Sequence, residues 1–113
     1  PVEHWWKVKT VRMVFVADAN AASRVPQLAL FGDTIVLATL PAAAAITAGQ
    51  TVILTWGVGL NQVNDSVGLV QTMALPNDIL LPPTGSIRTV TTGILAGDDY
   101  AAMTVYVERQ LGV

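Results

Sequence analysis

The sequence predicts an all-β fold, a β-sandwich of the jelly-roll type with about eight short strands. Three observations carry this. Apolar residues alternate with period two in Thr51–Trp56 and again from Tyr100 to Arg109, the pattern of half-buried strands. Turn-forming clusters of Gly, Pro, Asn and Asp recur about every 8–14 residues. No stretch of helical length carries apolar residues at helical spacing.

The first strand region runs from Trp5 to Ala17. Trp6 and Val8 alternate with Lys7 and Lys9, and from Val11 the apolar set Val11, Met13 and Phe15 takes the other phase. A one-residue slip turns every side chain to the opposite face, so a bulge or a change of sheet is expected near Thr10-Val11. Asp18-Ala19-Asn20 then turns the chain. A second strand spans Arg24 to Phe31, with Pro26 tolerated at its start or on an edge. Gly32-Asp33 makes a tight connection to Thr34–Leu40, which is rich in β-branched residues, and the two form a hairpin.

Pro41–Ala48 reads two ways: alanine favours one helical turn, and a loop lying over apolar surface fits equally. Thr51–Trp56 is a strand with Val52, Leu54 and Trp56 on one face, ended by Gly57 and Gly59. Gly59–Asp65 is a polar loop and Val67–Leu75 the next strand. Asp78 belongs to the turn Pro76-Asn77-Asp78, and Ile79–Leu81 is short and apolar. After the turn Pro82–Gly85 comes Ser86–Thr92, with Arg88, Val90 and Thr92 on one face and Ile87, Thr89 and Thr91 on the other. In the last strand Ala101, Met103, Val105 and Val107 face one way, and Tyr100, Ala102, Thr104, Tyr106 and Glu108 the other.

At 113 residues the chain is one domain. Residues 1–6 are assigned to an N-terminal arm and residues 7–113 to the sandwich. Cysteine is absent, which excludes disulfides and thiolate chemistry. Charged residues make up 12% and hydrophobic residues 52%, against about 25% charged in an average domain. So few charges leave apolar surface exposed, and such surface marks an interaction site. The net charge is −2 and the six basic residues are scattered, which argues against nucleic-acid binding. The most membrane-like stretch, Thr34–Gly49, falls short of the roughly 18–20 apolar residues a spanning helix needs. No membrane association and no leader peptide are expected; Pro1 is compatible with loss of an initiator methionine.

No enzymatic motif emerges, so no enzymatic activity, cofactor or metal is expected. His4 is the only histidine; without cysteine it makes a zinc site improbable, and no serine sits in a Gly-x-Ser-x-Gly elbow. Asp98-Asp99 would converge only if the backbone turned between them, so a turn cap is the better reading. Asp65 and Asp78 read as turn residues too. Trp56 is in phase with the core. Trp5 and Trp6 are adjacent, so on a strand one faces the core, and the other either anchors a partner or packs on a loop or a neighbouring strand. Arg24 lies among neutral neighbours, where it bonds loop carbonyls or pairs across an interface. The candidate partner-contact residues are therefore His4, Trp5, Trp6 and Arg24.

Several short motifs occur in a distinctive order. They are Ser23-Arg24, Leu30-Phe31-Gly32-Asp33, Thr55–Leu60, Leu81-Pro82-Pro83, Ser86–Thr91 and Ala96-Gly97-Asp98-Asp99-Tyr100 before the last strand. From about Lys7 to Glu108 this order resembles small structural proteins encoded beside major capsid genes in tailed phages and prophages. The resemblance implies a virion component, foremost a capsid decoration (cement) protein. Its partner would be the major capsid protein; self-association as a dimer or trimer is expected from the low charge content and the open β-strand edges. It would be made in the host cytoplasm and placed on the capsid surface. A tail or head–tail joining protein, or a carbohydrate- or receptor-binding sandwich, are the alternatives. The resemblance brings no catalytic residues, and it does not account for His4-Trp5-Trp6 or the alanine-rich Pro41–Ala48 loop.

Overall fold

The computed structural model describes residues 4–77 and 79–111. Their regular structure is entirely β, with nine strands: β1 (His4–Val16), β2 (Val25–Gly32), β3 (Ile35–Pro41), β4 (Thr51–Gly57), β5 (Val63–Asp65), β6 (Val70–Ala74), β7 (Leu80–Leu81), β8 (Ser86–Thr92) and β9 (Asp99–Leu111). Two sheets form. The larger runs β5-β6-β4-β1, with β7 continuing beside the start of β1 and β9 along the other edge of β1. The smaller is β3-β2-β8.

The sheets pack face to face through the residues that the alternation marks. Val8, Val11, Met13 and Phe15 of β1 and Val52, Leu54 and Trp56 of β4 meet Leu28 and Leu30 of β2 in one buried cluster. Fully burying each such side chain contributes about 1.5–3 kcal/mol. The slip in β1 is a bulge: pairing with β9 shifts register between Val8 and Thr10, which leaves Lys9 as the extra residue. This lets Val8 and Val11 point into the same core.

The Pro41–Ala48 segment is a loop over apolar surface. Ala42 and Ile46 are buried beneath it, and Ile46 exchanges two backbone hydrogen bonds with Arg24. Gln71, itself buried, clamps the loop with two hydrogen bonds to the backbone of Ala44. Pro26 sits near the start of β2, which is the central strand of its sheet.

Several details differ from the sequence reading. Part of the Gly59–Asp65 loop is strand β5, too short and too exposed to show an apolar phase. The β4–β6 pair is parallel, unlike every other ladder among the described residues. A second bulge in β9, between the partners of Arg12 and Val14, places Ala102 at φ 51°. Tyr100 therefore shares the inward phase of Met103, Val105 and Val107, and its ring packs edge-on against Phe15 at 5.0 Å. The boundary drawn after residue 6 also moves. Residues 4–6 are not an arm but the first residues of β1, laddered with residues 109–111 of β9, because the alternating pattern continues to the strand's start. Residues 1–3 lie outside the described residues, as does Asp78.

The radius of gyration is 14.9 Å and the extents are 50 × 28 × 20 Å, whereas a compact chain of this length has a radius near 13 Å. The elongation comes from the 13-residue strands β1 and β9.

Candidate functional site

Two places concentrate chemistry: a buried charge cluster and an uncovered apolar side of the sandwich.

The charge cluster centres on Arg24, whose side chain is wholly buried just before β2. Its Nε donates to Asp98 Oδ2 at 3.0 Å, and Nη2 donates to Asp18 Oδ1 at 2.7 Å. Nη2 also donates to the Asn20 carbonyl and Nη1 to the Ala22 carbonyl. Asp98 in turn accepts backbone N–H groups from Asp18 and Leu95, both at 2.8 Å. Burial alone would raise the Asp98 pKa. The Arg24 hydrogen bond, the two backbone donors and the Arg24 charge outweigh it and hold the carboxyl below its ordinary 3.8. The Asp98 side chain is closed to solvent, so a substrate cannot reach its oxygens. What the cluster does is tie the 18–24 segment to the turn before β9. Gly97 fits beside it because a Cβ there would lie 2.5 Å from Asp18 Oδ2.

Arg24 is thus an interior group whose donors are spent on its own loops, and this corrects its reading as a partner-contact residue. The guanidinium fork matches carboxylate and carbonyl acceptors that two distant loops bring together. Asp98 is the turn cap the sequence indicates, while Asp99 is exposed at the start of β9. Asp65 caps the turn after β5, accepting from Val67 and Gly68. Among the described residues, no group of three or more His, Asp or Glu is placed to hold a metal ion, and no helix is long and apolar enough to cross a membrane.

The apolar side follows from unequal sheets. Three strands face six, so the inner face of β9 is left partly uncovered. Val105 and Val107 ladder with the buried Val11 and Val8 and so point inward. They are nevertheless 37% and 40% exposed, and Met103 is 48% exposed. Beside them is a cleft of about 340 Å³ lined by Trp6, Leu81, Gly85, Ser86, Ile87 and Val107. Trp6 is the tryptophan that faces the core, and it also walls this cleft. Trp5, half-buried, takes the opposite face of the sheet. His4 pairs with Leu111 in the ladder. Trp56 is fully buried, and its indole N–H meets no acceptor among the described residues.

A second apolar patch lies at the end of the β2–β3 hairpin. Ile35, Val36 and Leu37 are 68%, 50% and 43% exposed in succession, beyond a turn that holds Asp33 at φ 62°. Arg88 lies over the Phe31 ring nearby at 4.3 Å, a cation–π contact. Neither patch is visible in the sequence as a motif. The signal for both was the low charge content.

No family model, no curated protein and no solved structure matches the chain.

Proposed function

We propose that the chain is a structural protein of a tailed-phage or prophage virion, a decoration protein that binds and stabilises the major capsid lattice through a jelly-roll-related sandwich. The observation that carries this reading is uncovered apolar surface, in two separate patches, on a chain with 12% charged residues. A solitary domain keeps such patches small or breaks them with charge. A protein wedged between capsomers buries surface on several sides. The order of short motifs from Ser23-Arg24 to Asp98-Asp99-Tyr100 supports the same reading. The hairpin end Ile35–Leu37 is the anchor assigned to the capsid, because it carries three exposed apolar side chains in a row.

A sugar-binding sandwich would draw on an exposed aromatic platform, and Trp56 lies in the core instead. A tail or head–tail joining protein would use the same apolar contacts, so the assay must separate the two. Purified chain is mixed with capsids lacking it and with isolated tails, then sedimented. Retention on capsids, weakened in Ile35→Lys, agrees with decoration. Retention on tails alone refutes it in favour of the joining role, and retention on neither refutes both.

A further inference from the structure

We infer that the open side of the sandwich, between the free edges of β8 and β9, seats a second copy of this chain, the two copies meeting edge to edge about a two-fold axis. The inference concerns the isolated chain and goes beyond the particle reading; either can fail without the other.

The edge chemistry comes first. Among the described residues β9 pairs only with β1, and β8 only with β2. Each offers a row of unpaired backbone N–H and C=O groups, and the two strands meet where Thr91 Oγ1 and the Tyr100 hydroxyl share a hydrogen bond. Edge strands are ordinarily short or interrupted by charge. β9 has 13 residues, and Tyr100–Val107 contains no charge, proline or glycine. The bulge at Ala102 twists only the beginning of the strand away, which leaves Met103–Val107 straight for pairing.

The side-chain chemistry matches a copy of itself. Behind the edge lies the uncovered strip Met103, Val105 and Val107, which a second copy's strip would cover while extending the core. Asp99 and Arg109, at opposite ends of β9, are exposed, and among the described residues neither is in an ion pair. Antiparallel alignment about a two-fold near Thr104 brings the Asp99 end of one strand to the Arg109 end of the other, with Asp99 on the outer face beside Val16 and Arg109 on the inner face beside Trp6. Like charges do not meet. No surplus of either sign is present on this side to select a partner of opposite charge, and self-complementarity is what a two-fold interface requires.

The area is sufficient. Thirteen residues at about 3.3 Å each make a side roughly 40 Å long, and the thinnest extent of the molecule is 20 Å. That gives about 800 Å² per copy, the size of a standard stable interface. The chain also exposes 6340 Å² in total, a few hundred Å² above the roughly 6,000 Å² expected of a monomer of this mass.

The test is sedimentation of the purified chain from about 1 to 100 µM. A dimer is expected, and Met103→Lys should weaken it at least about tenfold with an unchanged circular dichroism spectrum. The chain has no cysteine, so Thr104→Cys should form an intersubunit disulfide under mild oxidation, while Val67→Cys, 94% exposed elsewhere, should not. A monomer at 100 µM overturns the inference. So does a dimer in which Thr104→Cys fails to crosslink. Should Met103→Lys fail to fold, the cysteine variants still decide.

Discussion

Replacing Arg24 with methionine keeps the volume of the side chain and removes its charge and all its donors. The four hydrogen bonds it makes are lost at once, two to carboxylates and two to carbonyls. Removing one partner from a buried ion pair costs about 3–5 kcal/mol, because the other partner stays behind uncompensated. Here the low end applies. Asp98 keeps the N–H groups of Asp18 and Leu95, and Asp18 keeps the Asn20 backbone donor. A loss of about 3 kcal/mol lowers the Tm of a domain this size by roughly 10–20 °C. Arg24→Lys should recover little, since one ammonium cannot span both carboxylates and both carbonyls. Urea denaturation of the wild type and both variants measures this. A loss under about 1 kcal/mol in Arg24→Met, or full rescue by lysine, would refute the cluster as the tie between the two loops.

Three further outcomes are expected. The folded-state pKa of Asp98 is depressed, so its contribution is present above the ordinary aspartate range and lost as pH falls through the folded value. Wild-type stability should therefore decline below about pH 4, and its margin over Arg24→Met should shrink there; a margin independent of pH speaks against the pairing. Gly97→Ala crowds Asp18 Oδ2 and should cost about 1–3 kcal/mol by thermal melt, where a neutral result would mean that the loop yields freely. Ala102→Gly relieves a left-handed backbone at φ 51°. It should leave Tm unchanged or raise it by a few degrees, since a residue with a Cβ pays about 1 kcal/mol there; a clear drop would count against the bulge.

The strands were legible where one face is buried. Val52, Leu54 and Trp56 announced the strand, and the shifted phase of Val11, Met13 and Phe15 announced a bulge or a change of sheet near Thr10-Val11, which the structure resolves as a bulge at Lys9. The bulge at Ala102 was not legible, because alanine suits either face and hides a change of phase. Strand β5 was hidden by its exposure on both sides, and the parallel β4–β6 pairing by the absence of any local marker of strand direction. Arg24 stood out as a lone arginine, but its partner Asp98 lies 74 residues away, and only folding brings them together. The uncovered apolar surface was legible as a property of composition and not as a place. Its location depends on three strands facing six, which no residue pattern states.

The central claim is that this sandwich acts by laying apolar surface against an assembled lattice. An electron cryomicroscopy reconstruction of capsids incubated with the purified chain tests it most directly. The account predicts sandwich-shaped density repeated at equivalent positions over the capsid surface, with the Ile35–Leu37 end against the major capsid protein. Density confined to the tail or to a single vertex, or capsids left bare at saturating chain, would contradict it.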